Sequence, residues 1–367
     1  MPVYKDEKRG TYYISYSYIN SMGKRVNTKK RGYKTKKEAK EAEATIMLEI
    51  NRGSFIEPSK VTINEYFPEW LIHKTDLSNQ TRMMYERVFK NHISPCLGSL
   101  SLQALKPFHI QKFVKELKDK GLETSTIKRN FNIINACLNS AVSMDIIKDN
   151  VAKKVDTPKV SYKELNIWTT EQSIEFLSLN QHHELFPLFA LAINTGMRQG
   201  ELLGLRWKDI NFDEQTLMIR QTLEHDGKNI KAGAKTTSSI RTIGLPTSVI
   251  PILIEHKRQQ ESNLDILGLS NDLDLVFITG NKQMSPRNVT RRFQNAIKHT
   301  NLPVIRFHDL RHIYASILIA NNAPIKHVSS TLGHSKISTT MDTYVHLMPA
   351  QMRDITNQIG EALLGKA

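Results

Sequence analysis

The chain has 367 residues with 40% apolar and 7% aromatic content, room for two or three domains with real cores and unlike disordered, collagenous or coiled-coil sequences. Its 51 Lys and Arg outweigh 36 Asp and Glu to give +15, which favours a polyanionic partner because each neutralised phosphate releases condensed counterions. No run of 18 apolar residues and no signal-peptide-like start occurs, so a cytoplasmic protein without a membrane span is expected, and the two cysteines, Cys96 and Cys137, are expected as buried apolar side chains rather than as disulfide or zinc partners.

The first 60 residues hold 14 basic and 7 acidic side chains, nearly half of the positive excess. Thr11–Ile19 alternates aromatic and polar residues, turns at Asn20-Ser21-Met22-Gly23 and resumes at Lys24-Arg25-Val26, which is hairpin punctuation. A third basic strand around Lys29–Tyr33 leads through Thr35, as N-cap, into a helix over Lys36–Asn51. A three-stranded sheet backed by one helix can lay a strand face in the DNA major groove. Residues 53–60 read as a linker.

Residues 61–150 read as all helical. Thr62 with Glu65 makes a capping box, and Tyr66, Phe67, Trp70 and Leu71 give the apolar face of the helix it opens. Further helices are expected over Ser78–Ile93, Pro107–Lys120 and Thr124–Met144, the last with Lys128 and Arg129 early enough to meet phosphate and an apolar stripe of Ile133, Ile134, Cys137, Leu138 and Ala141. Residues 151–165 read as a second linker.

Beyond Asn166, Thr169 and Gln172 cap a helix over Ser173–Leu179, and a second apolar run ends at Thr195-Gly196-Met197-Arg198-Gln199-Gly200-Glu201-Leu202. The helix starting there presents free amides and Arg198 to an anion. Strands are expected over Leu217–Leu223 and Ile240–Leu245, with a turn at Asp226-Gly227 and Lys235 on the loop or strand edge between them. Phe307-His308-Asp309-Leu310-Arg311-His312 opens a helix on which His308 and Arg311 lie 60° apart on one polar edge. A helix over Pro324–Leu332 stops at Gly333 and sets His334 in a turn, and Ser338–Thr343 reads as a capped helix start before Tyr344. Met352, Ile355, Ile359 and Leu363 form one stripe on a terminal helix that should pack in its own core or against a neighbouring copy.

Taken in order, Arg198-Gln199-Gly200-Glu201-Leu202, Lys235–Arg241, His308-Asp309-Leu310-Arg311-His312, Leu332-Gly333-His334 and Tyr344 resemble the catalytic set of the tyrosine recombinase (phage integrase) family, of the type found in temperate phages and conjugative transposons. The resemblance extends over the whole chain. It implies an α+β, multidomain protein: an arm-type DNA-binding domain over residues 1–58, a helical core-binding domain over 61–150, and a catalytic domain over 165–367. The last two would clamp duplex DNA.

The implied reaction is site-specific cutting and rejoining of DNA through a 3′-phosphotyrosine, integrating or excising a mobile element without metal, ATP or other cofactor. Arg198 and Arg311 would grip the non-bridging oxygens of a phosphorus that gathers negative charge, with His334 as a third donor. Tyr344 would be the nucleophile, Lys235 the acid that protonates the departing 5′-oxygen, and His308 a helper in taking the tyrosine's proton. Lys228 and Lys231 compete with Lys235 for the acid's place. Glu201 would brace the Arg198 helix, His312 would orient its neighbours, and His346 would be incidental. Implied partners are double-stranded attachment DNA with core and arm sites, a homotetramer assembled on it, and an excisionase or DNA-bending protein.

Other classes fit less well. His308 and His312 at i, i+4 with Asp309 between them imitate a zinc-protease helix, yet Arg306 and Arg311 would repel a dication and no third ligand follows. A DNA-binding regulator would leave the spacing of Arg198, His308, Arg311, His334 and Tyr344 without purpose. A type IB topoisomerase shares the chemistry but has no need of two extra DNA-binding units.

Overall fold

The computed structural model describes residues 3–20, 22–158, 167–233 and 240–344. Lys235, His346 and the terminal stripe from Met352 to Leu363 lie outside the described residues, as does the end of the second expected linker. The chain divides into two compact units, Met1–Lys163 and Glu164–Ala367. No helix among the described residues is long and apolar enough to cross a membrane.

In the first unit, strands β1 (Val3–Asp6), β2 (Thr11–Ile19) and β3 (Arg25–Tyr33) form an antiparallel sheet in that order. The strand β1 went unread because four residues are too few for a period-2 pattern. The two basic stretches expected as separate strands are one, since nothing between Val26 and Lys29 breaks an extended chain. Alternation then sorts the faces. Ile14, Tyr16 and Tyr18 are buried against Ala39 and Ile46 of helix α1 (Lys36–Asn51), which Thr35 and Glu38 open with a capping box. On the other face the cations of Lys29 and Arg31 lie 5.7 and 5.3 Å from the centre of the Tyr13 ring, which also stacks on Tyr4.

The segment expected as a linker is pinned at both sides. Phe55 packs on Tyr16 and Tyr18, the Tyr18 hydroxyl donates to Glu57, and Gln103 donates to the Glu57 carbonyl and accepts from the Ser59 amide. A second, separate apolar cluster fills the helical part, α2 (Ile63–His73), α3 (Asn79–Val88), α4 (Ser94–Leu97), α5 (Pro107–Asp119) and α6 (Thr124–Ser143). The helix expected to stop at Ile93 widens into a π-helical turn over Phe89–Ile93 and carries on to Leu97; Pro95 cannot donate into an α-helical ladder, and the wider turn takes up the mismatch. Cys137 is fully buried there, whereas Cys96 is only half-buried, with the Glu116 carboxylate beside it. Val151–Lys154, assigned to the second linker, forms one 3-10 turn whose Ala152 joins this cluster.

The second unit begins with α7 (Thr170–Leu179), capped by Thr169 and Gln172, and α8 (Phe186–Thr195), apolar nearly all round and therefore central. Next come α9 (Gln199–Leu203), β4 (Ile210–Asn211), β5 (Thr216–Ile219), β6 (Gln221–Leu223), β7 (Ile230–Ala232) and β8 (Arg241–Gly244). The single strand expected over Leu217–Leu223 breaks at Arg220: β5 pairs with β4 and β8, while β6 turns off to pair with β7. The break brings β6 under α9, so closely that a Cβ on Gly200 would meet the Leu223 carbonyl at 2.6 Å. The remaining elements are α10 (Ile250–Leu267), the short pair β9 (Ile278–Thr279) and β10 (Lys282–Gln283), α11 (Pro286–Lys298), α12 (Asp309–Ala320), α13 (Ile325–Leu332) and α14 (Ile337–Tyr344). The last helix starts before Ser338, so Ser338–Thr343 lie inside it and Tyr344 rides its last described turn.

Phe293 of α11 meets Trp168, Phe176, Phe189 and Phe307 ring to ring and is fully buried. Phe293→Ala is expected to destabilise the second unit by about 3–5 kcal/mol, read as a fall in the urea midpoint; a loss under about 1 kcal/mol would mean that the ring is not central to this core.

Candidate active site

Helix α8 ends on Gly196, whose φ of +61° turns the chain so that Arg198 becomes the N-cap of α9. Glu201, three residues on, accepts the Arg198 amide on Oε2 at 2.9 Å and its Nη1 on Oε1 at 2.8 Å. One amide of the end expected to face an anion, that of Arg198 itself, is therefore taken by the helix's own carboxylate.

Glu201 has a second arginine. Arg241, first residue of β8, donates through Nη1 at 3.0 Å and Nη2 at 2.8 Å to the same carboxylate, and through Nε to the Thr331 carbonyl at 2.7 Å. The next carbonyl, Leu332, accepts from Arg311 Nη2, and the next, Gly333, from Arg198 Nη2 at 3.1 Å. Three consecutive carbonyls at the C-terminal end of α13 thus receive three guanidinium groups from three separate parts of the chain. A helix end leaves these carbonyls without intrahelical partners and carries partial negative charge, so it suits cations twice over. Gly333 must be glycine here: its φ is +65°, and a Cβ would stand 2.7 Å from Arg241 Nη1.

Arg311 is also held by the Gly196 carbonyl through Nη1 at 2.9 Å and is only 3% exposed. Burial and the neighbouring Arg198 pull its pKa down to about 9, which leaves it charged at neutral pH. Burial alone would push Glu201 up, but the hydrogen bonds and charge of Arg241, with Arg198 behind them, overcome that and hold it at about 2. Three cations against one carboxylate leave a positive excess.

Burial acts first on the nearby histidines, and the charges around them add to it. His334 follows Gly333, hydrogen-bonds Thr340 of α14 through Nδ1 at 2.7 Å, and is lowered to about 4 by burial and by Arg311 and Arg198. His308 stands at the start of α12, where Arg306 binds Asp309 with its amide and guanidinium and fixes the helix entry; desolvation and Arg311 lower its pKa as well. One turn on, His312 is lowered to about 4 by burial and then by His308. Its Nδ1 lies 2.6 Å from the hydroxyl of Tyr344, which is 1% exposed and pushed up to about 12 by burial, with Arg311 acting in the other direction.

Arg198 and Arg311 therefore bind the end of α13, His334 follows it, Tyr344 packs in one cluster with Leu332, and His308 stands beside His312 and near Arg311 and Arg198. Of the competing lysines, Lys231 on β7 has its Nζ 3.9 Å from Glu224, and Lys228 lies in the Asp226 turn. One participant was missed from the sequence. Arg241 was given no role, and its only local signal was its place at the end of the Lys235–Arg241 stretch. His312, expected to orient its neighbours, holds the contact with the phenol that had been given to His308.

Profiles of known families match three segments of the chain. The phage integrase family profile matches residues 169–351, an arm DNA-binding domain matches 2–50, and a phage integrase N-terminal SAM-like domain matches 62–118. A XerC-like tyrosine recombinase of Caldanaerobacter subterraneus is 32% identical over 356 residues, spanning 90% of this chain and 91% of its own. The ICEBs1 integrase of Bacillus subtilis is 25% identical over 95% of this chain and 96% of its own. Among solved structures, the Tn1549 transposon integrase in complex with transposon right end DNA superposes with a TM-score of 0.68 at 21% identity, over 81% of this chain and all of that one. A lambda integrase tetramer bound to a Holliday junction gives 0.60 at 19% identity over 93% and 95% of the two chains.

The low pKa of Glu201 has a measurable consequence. Its carboxylate ionises in an unfolded chain near 4.5 and in the folded one near 2, so its contribution is complete above about pH 4.5 and is lost as pH falls through 2. Over that interval the protein should lose about 3 kcal/mol more than Glu201→Gln does, measured by urea unfolding at pH 5, 3 and 2. Equal acid sensitivity of the two proteins would show the carboxylate to be unpaired.

Proposed function

The chain belongs to the phage integrase family, and from that premise we infer a site-specific DNA recombinase that cuts and rejoins strands through a 3′-phosphotyrosine, so as to integrate or excise a mobile element. The observation that carries the reading is the gathering of Arg198, Arg311, His334 and Tyr344 at the end of α13, with His308 near the two arginines and more positive charge than Glu201 neutralises.

A phosphodiester is a monoanion, and charge on its non-bridging oxygens grows as a fifth oxygen approaches phosphorus. Arg198 and Arg311 each have guanidinium edges anchored on carbonyls, so they are oriented before substrate arrives and need not reorganise as the charge develops. We assign them the clasp and His334 the third donor. Tyr344 attacks phosphorus, the 5′-oxygen departs with a proton from Lys235, and the phosphotyrosine keeps the bond energy until a 5′-hydroxyl from the other duplex reverses the step. Lys231 is partnered by Glu224, which favours Lys235 as the acid. His308 supports the tyrosine's side of the site.

Three functional regions are proposed: arm-site binding by residues 1–58, core-site binding by 61–150 and catalysis by 165–367. The basic outer sheet face around Tyr13, Lys29 and Arg31 supports the first. The partner is double-stranded DNA, and since each protomer cuts one strand and exchange involves four, the working assembly is a homotetramer on two sites. A cytoplasmic location follows from action on chromosomal and mobile-element DNA.

Tyr344→Phe should retain DNA binding and form no covalent complex on a nicked suicide substrate; a protease-sensitive adduct from the variant would move the nucleophile to another tyrosine. Lys235→Ala should slow cleavage by roughly 10²–10⁴ on ordinary DNA. It should recover when the bridging 5′-oxygen is sulfur, because a thiolate of pKa near 8.5 leaves without a proton. Rescue of Lys231→Ala or Lys228→Ala in its place would reassign the acid.

A further inference from the structure

The phenol of Tyr344 needs a base. Its burial disfavours the phenolate, which is why its pKa stands at about 12, and at neutral pH almost every copy carries its proton. As Tyr344 Oη bonds to phosphorus that proton has to leave, and it leaves most readily to a group already within hydrogen-bond distance.

We propose that His312 is a catalytic residue, its Nδ1 taking the Tyr344 proton during cleavage and returning it during rejoining. The geometry is direct, with Nδ1 and Oη 2.6 Å apart. His308, on the same helix one turn earlier, has its ring edge-on to His312 at 5.3 Å between centroids, and His334 uses its Nδ1 on Thr340. Neighbouring residues on a helix point about 100° apart, so α12 can send Arg311 to the α13 carbonyls and His312 to α14. Clasp and base are thereby built on consecutive residues of one rigid element.

The charges around His312 keep it ready to accept. On its own helix it faces His308, Asp309 and Arg311; Arg306 approaches from the segment before the helix, His334 from the turn after α13, and the Tyr344 phenol from α14. Burial, and after it their net positive field, keep the imidazole neutral, with its lone pair on Nδ1 and its proton on Nε2 when Tyr344 donates. A bound phosphodiester anion offsets that field and makes the imidazole more basic when the proton must move.

In cleavage the Tyr344 O–H bond breaks and its proton goes to His312 Nδ1, the Oη–P bond forms, and the P–O5′ bond breaks with its electron pair on O5′, which takes a proton from Lys235. Rejoining reverses each transfer: the incoming 5′-hydroxyl returns a proton to Lys235, and the departing phenolate recovers its own from imidazolium His312. No further reactant is needed.

The inference rests on Tyr344 being the nucleophile, so Tyr344→Phe accompanies the experiment. Single-turnover cleavage of a nicked suicide substrate is followed for the full-length protein and for His312→Gln between pH 6 and 9.5, with gel shifts to normalise for DNA binding. The variant should be slower by roughly 10²–10⁴ at pH 7 and should gain tenfold per pH unit as hydroxide replaces the base. Placing a fluorinated, more acidic tyrosine at position 344 should accelerate His312→Gln far more than the unsubstituted protein. Cleavage at the original rate would overturn the proposal, and faster cleavage would make the hydrogen bond a tether that holds the nucleophile back. A loss equal at every pH and unrelieved by the fluorinated tyrosine would also overturn it, reducing His312 to packing. An adduct formed by Tyr344→Phe would instead remove the reading on which the proposal stands.

Discussion

The second unit is organised by what happens to three carbonyl groups. Helix α13 ends at Leu332, and the carbonyls of Thr331, Leu332 and Gly333 would be left without partners by the helix itself. Arg241, Arg311 and Arg198 take them in that order. Each arginine comes from a different part of the chain, so the helix end works as the joint at which β8, α12 and the start of α9 meet. Remove the joint and the site's charges lose their common frame.

Concentrating three guanidinium groups is unfavourable unless something offsets their repulsion, and Glu201 does so from between Arg198 and Arg241. Its burial is tolerated because every lone pair aimed at the arginines is used. The compensation is incomplete: burial first, and then Arg311 and Arg198, lower His334, while burial, and then His308 and Arg311, lower His312.

In the first unit a different economy holds. Two apolar clusters, one beneath the sheet and one among the helices, are bridged by a segment with no regular structure of its own, held by Phe55, Glu57 and Gln103. Its hydrogen bonds join the Glu57 side chain to Tyr18 and the Gln103 side chain to the backbone of Glu57 and Ser59, so they fix the path of the chain without burying a large area. The outer sheet face keeps its basic side chains around Tyr13, free of the apolar packing that occupies the other face.

Sequence by itself determined the helix caps at Thr35, Thr62 and Thr169, the alternation of β2, the stop at Gly333 and the ordered set from Arg198 to Tyr344, because each depends on residues within a few positions of one another or on motif spacing along the chain. It also determined the family, through that order. Only the tertiary structure decided that Arg241 belongs to the site, that Glu201 serves two arginines, and that His312 rather than His308 meets the phenol. Arg241 and Glu201 are 40 residues apart and His312 and Tyr344 are 32 apart, and no local period relates them. The split of the expected strand at Arg220 has the same origin, for it follows from α9 lying against β6 across Gly200. Local caps fix where the helices after Thr35, Thr62 and Thr169 start; which charge meets which carbonyl is fixed by packing between elements, and a linear pattern does not encode that distance.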